Sequence, residues 1–214
     1  MSASCCHSQS ASRLFSLFAR SSRRRAEKKG LESTQQQLLA GLTSIGFDDA
    51  SLLEIGCGVG HLHQTLLEKG ARQVVGVDLA PRMLAEARSL AADRGLAERV
   101  EYVEGDFIEL GDAVGTADIA LLDKVVCCYP DADGLLGLTL KKTRRGCALT
   151  YPRDRWFVRL WMGAWNGMLW LLRSDFRTYV HAPAAIERRI TDAGFVKRYE
   201  DTTAAWLTQV YARP

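Results

Sequence analysis

The chain has 214 residues, 47% hydrophobic and 25% charged, with a formal net charge of +3. That length suits one domain with a core covered on both faces, and the composition is that of a folded globular protein rather than a disordered or fibrous one. The positive charge sits in the N-terminal segment, where Arg13, Arg20, Arg23, Arg24, Arg25, Lys28 and Lys29 stand against one acid, Glu27; the remainder is slightly acidic, which excludes a body-wide nucleic-acid surface.

Residues 1–32 form a basic extension, rich in Ser and Arg, with Leu14, Phe15, Leu17 and Phe18 clustered in it. An organelle transit peptide and a structural N-terminal segment both fit that composition. Residues 33–214 read as the main domain. Leu38, Leu39, Leu42 and Ile45 recur at helical spacing, and Gly46 closes that helix. Strand and helix then alternate: a strand near 51–55, a helix at 61–69, and a strand at 73–78. A helix follows from Pro81, well placed in a first turn, to Gly95. Strands come next near 99–104 and 117–122, then a helix near 131–142 and a strand near 145–150. An apolar helical insertion occupies about 153–178. A helix from Pro183 to Ala193 ends in Gly194, and strands near 195–202 and 206–212 finish the chain. This pattern predicts an α/β fold: a Rossmann-like, doubly wound sheet of about seven mostly parallel strands, with its ligand crevice at the carboxyl ends of the strands.

The most telling stretch is Leu52-Leu53-Glu54-Ile55-Gly56-Cys57-Gly58-Val59-Gly60, a buried strand feeding a glycine turn before a helix. Glycine lets a nucleotide-like ligand approach the backbone. The dinucleotide fingerprint G-x-G-x-x-G is not met, because the third glycine comes one residue early and His61 stands where that pattern needs Gly. The second strand ends in Asp78, placed to accept both hydroxyls of a ribose. The third ends in Gly105-Asp106-Phe107, an acid suited to an adenine amino group beside an aromatic suited to its ring.

In order and spacing these three motifs resemble the class I S-adenosylmethionine (SAM)-dependent methyltransferase family over about residues 33–213. The resemblance implies SAM as cofactor, held by the turn Gly56, Cys57, Gly58 and Gly60, with Glu54 orienting the methionine ammonium and Leu79 and Met83 lining the adenine. It also implies that residues 1–32 serve as a lid helix over the cofactor. No metal is expected, and the acceptor is expected to be a small molecule, with no nucleic-acid partner.

The segment Asp123-Lys124-Val125-Val126-Cys127-Cys128-Tyr129-Pro130 follows the fourth strand, where the family faces the transferring methyl group. It lacks the Asp/Asn-Pro-Pro-aromatic signature of nucleic-acid amino methylation. Asp123 and Tyr129 are the candidate groups for acceptor chemistry, and His181 is a candidate base from outside the motifs. The vicinal Cys127 and Cys128 read either as loop thiols or as ligands for a soft acceptor or metalloid. With Cys5, Cys6, Cys57 and Cys147 they show no zinc spacing, and they suit a reducing, cytoplasmic compartment, or an organelle if residues 1–30 are a transit peptide. Trp156, Trp161, Trp165 and Trp170 fall in an insertion uncharged from Leu160 to Leu172, which is too short to span a bilayer. It reads as a buried or dimer-forming cap, as a wall for a large flat acceptor, or as a peripheral membrane contact. Tyr179 to Gly194, with Cys128-Tyr129-Pro130, is similar to the magnesium-protoporphyrin O-methyltransferase branch, which implies a propionate carboxylate as acceptor. A non-catalytic SAM-binding protein on the same fold is the remaining reading.

Overall fold

The computed structural model describes the backbone of residues 4–214 and the side chains of residues 9–214; the side chains of Cys5 and Cys6 lie outside the described residues. The centre of the fold is β1 (Ser51–Ile55), buried along its whole length as a strand covered on both faces must be. β1 pairs in parallel with β2 (Gln73–Asp78) on one side and β4 (Ala117–Asp123) on the other. β3 (Val100–Glu104) and β5 (Thr143–Pro152) extend the sheet outward, both parallel. β7 (Trp206–Ala212) runs antiparallel between β5 and β6 (Val196–Thr202). The order is β3-β2-β1-β4-β5-β7-β6. The strand order reverses between β1 and β4, so the crevice opens beyond Ile55 and Asp123.

α3 (His61–Glu68), α4 (Pro81–Asp93), α6 (Ala132–Lys141) and α8 (Pro183–Asp192) fill the connections, with a short α5 (Phe107–Leu110) after β3. One core centres on Leu53, Ile55, Leu122, Leu149 and Tyr151; the other joins Leu52, Leu66 and Ile119 to α2 (Ser33–Ile45) through Leu38 and Leu42. α2 lies so close to the sheet that a Cβ at Gly41 would strike Val210 and Tyr199.

α1 (Ser4–Lys29) lies on α4, with Ala19 and Ala26 buried against Val59, Ala80 and Met83. Arg23 clamps it by meeting Glu86 (3.2 Å), Ser89 (2.8 Å) and Asp93 (2.6 Å).

α7 (Trp156–Leu171) departs from two of its expected readings. It is not a buried cap: only Val158, Met162 and Leu169 are buried on it, while Trp156, Leu160, Trp161 and Trp170 are exposed. It is not a wall of the main cavity either, since none of its residues lines that space. Among the described residues, no helix is long and apolar enough to cross a membrane.

Candidate active site

The glycine turn is built by backbone geometry. Gly56, Gly58 and Gly60 have φ of +66°, +54° and +77°, a region that side chains other than glycine adopt at a cost. The turn is tied back by Cys57 N–H donating to Val77 O (3.0 Å) and Gly60 N–H donating to Cys57 O (2.9 Å). At Gly56 a Cβ would meet Val125, whereas at Gly58 it would enter open space. Above this turn lies a cavity of about 360 Å³, bounded by the ends of β1, β2 and β4 and closed by α1 and the start of α2.

Glu54, Gly56, Cys57, Gly58, Asp78, Leu79, Met83, Gly105, Phe107, Asp123 and Tyr129 line the cavity. Gly60 stands behind the wall, where a Cβ would meet His63 and the Tyr102 hydroxyl. Asp78 is locked by two backbone donors, Gly58 N–H to Oδ2 (2.7 Å) and Ala80 N–H to Oδ1 (2.8 Å). Burial raises its pKa above the ordinary value, and these two N–H groups pull it back.

Glu54 is 2% exposed, and its Oε2 lies 2.5 Å from Nδ1 of the fully buried His63. His63 Nε2 in turn meets the Tyr102 hydroxyl at 2.9 Å, and Gln64 Nε2 donates to the same oxygen (3.0 Å). A chain of polar groups thus runs from the cavity floor toward β3. His61 also lines the cavity; burial, then Arg94, hold its pKa below the ordinary value.

At the far wall, Asp123 Oδ2 accepts from Gln35 Nε2 (3.1 Å), while Oδ1 is buried without a partner. Burial pushes the Asp123 pKa up to about 6 against the opposing pull of Lys124, with Glu54 adding to the rise. Lys124 has φ of +59° and reaches Glu32 Oε2 at 2.6 Å; Arg25 meets Glu32 Oε1 at 3.1 Å. Burial alone would raise the Glu32 carboxyl, but Lys124 and Arg25 hold it below its ordinary range. Lys124, Glu32, Gln35, Arg25 and Phe15 all line the cavity; none was singled out as a site residue from the sequence, although Phe15, Arg25 and Glu32 fall in the segment expected as a lid and Lys124 in the segment after the fourth strand. One signal was available: Glu32 and Gln35 sit at the N-cap and N3 positions of a capping box, which marks where α2 starts.

Two candidates require correction. Asp106 is off the cavity wall. Its Oδ1 accepts from Ile108 N–H (2.9 Å) as the cap of α5 and from the Tyr129 hydroxyl (3.1 Å), so it positions Tyr129 rather than facing an adenine. His181 is also off the wall: Nε2 meets Tyr129 O at 2.9 Å and the ring stacks on Tyr179, which leaves it a bracing group and not a base at this cavity. Tyr129 itself is a wall, since burial and the neighbouring Asp106 charge keep its hydroxyl protonated. Cys127 is buried, and its Sγ lies 3.3 Å from Lys124 O. Its neighbour and burial hold the Cys128 thiol well above its ordinary range. Among the described residues no group of three or more His, Cys, Asp or Glu is arranged to hold a metal.

Residues 52–141 match the family model described as a methyltransferase domain. The ubiquinone biosynthesis O-methyltransferase of Azorhizobium caulinodans is 33% identical over 153 residues, which is 67% of this chain and 58% of that protein. The ribosomal protein L11 methyltransferase of Escherichia coli is 31% identical over 117 residues, 51% of this chain and 40% of that protein. The chain therefore spans less than two thirds of these curated relatives. Among solved structures, magnesium protoporphyrin IX methyltransferase from Synechocystis superposes with a TM-score of 0.71 at 19% identity, over 95% of this chain and 100% of that one. A [4+2]-cyclase reaches the same TM-score, 0.71, at 14% identity over 97% of both chains. These two likenesses show the fold. Residues 52–141 are thus a methyltransferase domain on a Rossmann-like fold, and the glycine turn and the acids at its strand ends are the features that class I SAM-dependent methyltransferases share.

Proposed function

We propose that the chain transfers the methyl group of SAM to an oxygen of a small acceptor, at the wall formed by Asp123, Lys124, Cys128 and Tyr129. The cavity fits the cofactor: the open space over Gly58 is what a bound nucleotide-like group needs, and a Cβ there would fill it. Glu54 would hold the methionine ammonium, Asp78 the ribose hydroxyls, and Leu79, Met83 and Phe107 the adenine. Bound SAM supplies an activated methyl on a sulfonium.

The chain's own task is then alignment and, for a protic acceptor, removal of one proton. The observation that carries the oxygen reading is Asp123: its Oδ1 is buried without a partner, and its pKa is raised to about 6. Near neutral pH such a carboxylate is ionised yet keen to take a proton from a hydroxyl. The name of the Azorhizobium relative, an O-methyltransferase, agrees with this reading. An ionised carboxylate acceptor, as on a porphyrin, is a second reading; Arg25 and Lys124 favour it, because both cations face the cavity with Glu32 as shared counter-ion. Sulfur or metalloid chemistry is favoured less, since the Cys128 thiol is held protonated and a protonated thiol is a poor soft-metal ligand.

The test is transfer of labelled methyl from SAM to a phenol and to magnesium protoporphyrin IX. Labelled ether with the phenol, lost in Asp123→Asn while SAM still binds, supports the hydroxyl reading. Methyl ester on the porphyrin, retained in Asp123→Asn, favours the carboxylate. SAM binding with no product from either acceptor removes both and leaves a Cys127→Ser/Cys128→Ser comparison to separate thiol chemistry from a non-catalytic SAM-binding role.

A further inference from the structure

α7 docks on the body through one stripe, Val158, Met162, Trp165 and Leu169, spaced at i, i+4, i+7 and i+11. At about 100° per residue the opposite face carries Leu160, Ala164, Met168 and Leu171, flanked by Trp156 and Trp170 on one side and Trp161 on the other. Trp156, Trp170 and Leu171 are 77%, 70% and 76% exposed. Isolated exposed apolar residues are ordinary, but a helix face made of little else has a partner.

The face is a convex ridge, not a groove, and tryptophan is the aromatic that favours the boundary between water and lipid. The charges around it are mainly basic, with Asp154 taken up by Arg159 and Asp175 lying beyond the end of the helix. Between residues 155 and 174 there is no acid, and Arg155 and Arg173 are exposed. α1 packs against the C-terminal end of α7, where Ala11 and Leu169 share one apolar cluster, and against the segment after it through Phe15 on Phe176 (5.4 Å). α1 adds exposed Leu17, Phe18, Arg13 and Arg20.

From this geometry we propose that α7, with the adjoining part of α1, lies flat on a bilayer surface that carries anionic lipid. A second copy of the chain would bring two identical basic rims together, whereas anionic headgroups offer the opposite charge. The helix is too short to cross, so it rests in the interface with its apolar face down. The stripe behind that face packs on Cys127, Cys128, Leu79 and Phe15, three of which line the cavity, so docking turns the acceptor wall toward the lipid. This inference stands whether or not methyl transfer occurs.

The test is flotation of the full chain with vesicles of phosphatidylcholine alone and with about one third phosphatidylglycerol, read with tryptophan fluorescence. The expected result is flotation and a blue shift with the anionic vesicles, at least about tenfold weaker with neutral ones and weakened near 0.5 M salt. Leu160→Glu/Trp170→Glu/Leu171→Glu should abolish it with thermal melting unchanged. Should that variant misfold, Arg155→Glu/Arg173→Glu tests the same contact through its charge and should weaken anionic flotation about tenfold. Absence of wild-type flotation overturns the proposal, as does full flotation of a folded variant. So does a dimer in sedimentation that the face variant dissolves and vesicles do not compete away, since the face then belongs to a second copy.

Discussion

Glu54 and His63 meet at 2.5 Å beneath the glycine turn, one at the end of β1 and the other in the first turns of α3, both sealed from solvent. A buried carboxylate needs such a partner, and losing one member of a buried pair costs far more than the pair is worth. The short contact fixes Glu54 Oε2 and leaves the other oxygen for a ligand. His63→Ala should therefore weaken SAM binding by about 1.5–3 kcal/mol, the range for a hydrogen bond to a charged group. Calorimetry on folded protein giving wild-type affinity would show that His63 serves packing alone.

Asp78 works from the other side of the cavity. Its two backbone donors hold the carboxylate at the mouth of the turn, so it both shapes Gly58 and presents acceptors. Asp78→Ala should lower SAM affinity by roughly 1.5–3 kcal/mol. An unchanged dissociation constant in a folded variant would remove it from the cofactor site.

Gly58 tests the cradle directly. With φ of +54° and open space at its Cβ position, Gly58→Ala costs about 1 kcal/mol of backbone strain and pushes a methyl into the cavity. The expectation is a small drop in melting temperature with a much larger loss of SAM affinity. A variant that melts earlier yet binds as before would place the cofactor elsewhere.

Asp123 links activity to pH. Its folded pKa, about 6, lies above the ordinary 3.8, so between those values the folded state holds the extra proton. The stability it contributes is present below about pH 4 and is lost as pH rises through about 6, amounting to roughly 3 kcal/mol at most. Asp123→Asn should raise the melting temperature at pH 8 and leave it nearly unchanged at pH 4. With a hydroxyl acceptor, kcat/KM should fall below about pH 6 in the wild type, and Asn should lower it about 10²–10⁴-fold. Matching pH–rate profiles for the two proteins would exclude Asp123 as the base.

The sheet was legible because buried runs such as Leu52–Ile55 alternate with helices capped by Pro81 and Gly95, signals that local chemistry sets on its own. The glycine turn and Asp78 could be read for the same reason: each is a strand end with a backbone demand. Glu32, Gln35 and Phe15 could not be singled out, since they reach the cavity only through the packing of α1 and α2, tens of residues away in sequence; Lys124 stands in the marked segment after β4, but its role appears only once Glu32 packs against it. Asp106 misled because an acid after a strand reads alike whether it faces a ligand or caps the next helix; only the Ile108 N–H and Tyr129 contacts decide it. His181 misled because a histidine before a helix carries no mark of which way its ring turns.

Lys124 holds a backbone conformation that glycine would adopt freely, at a standing cost of roughly 1 kcal/mol or more. Its ammonium is what tethers Glu32, and hence the junction of α1 and α2, to the loop after β4. Lys124→Gly would relax the backbone and untie that junction in one change, so thermal endurance and turnover would move in opposite directions. At this position the most comfortable residue for the polypeptide and the most useful one for the enzyme are different residues.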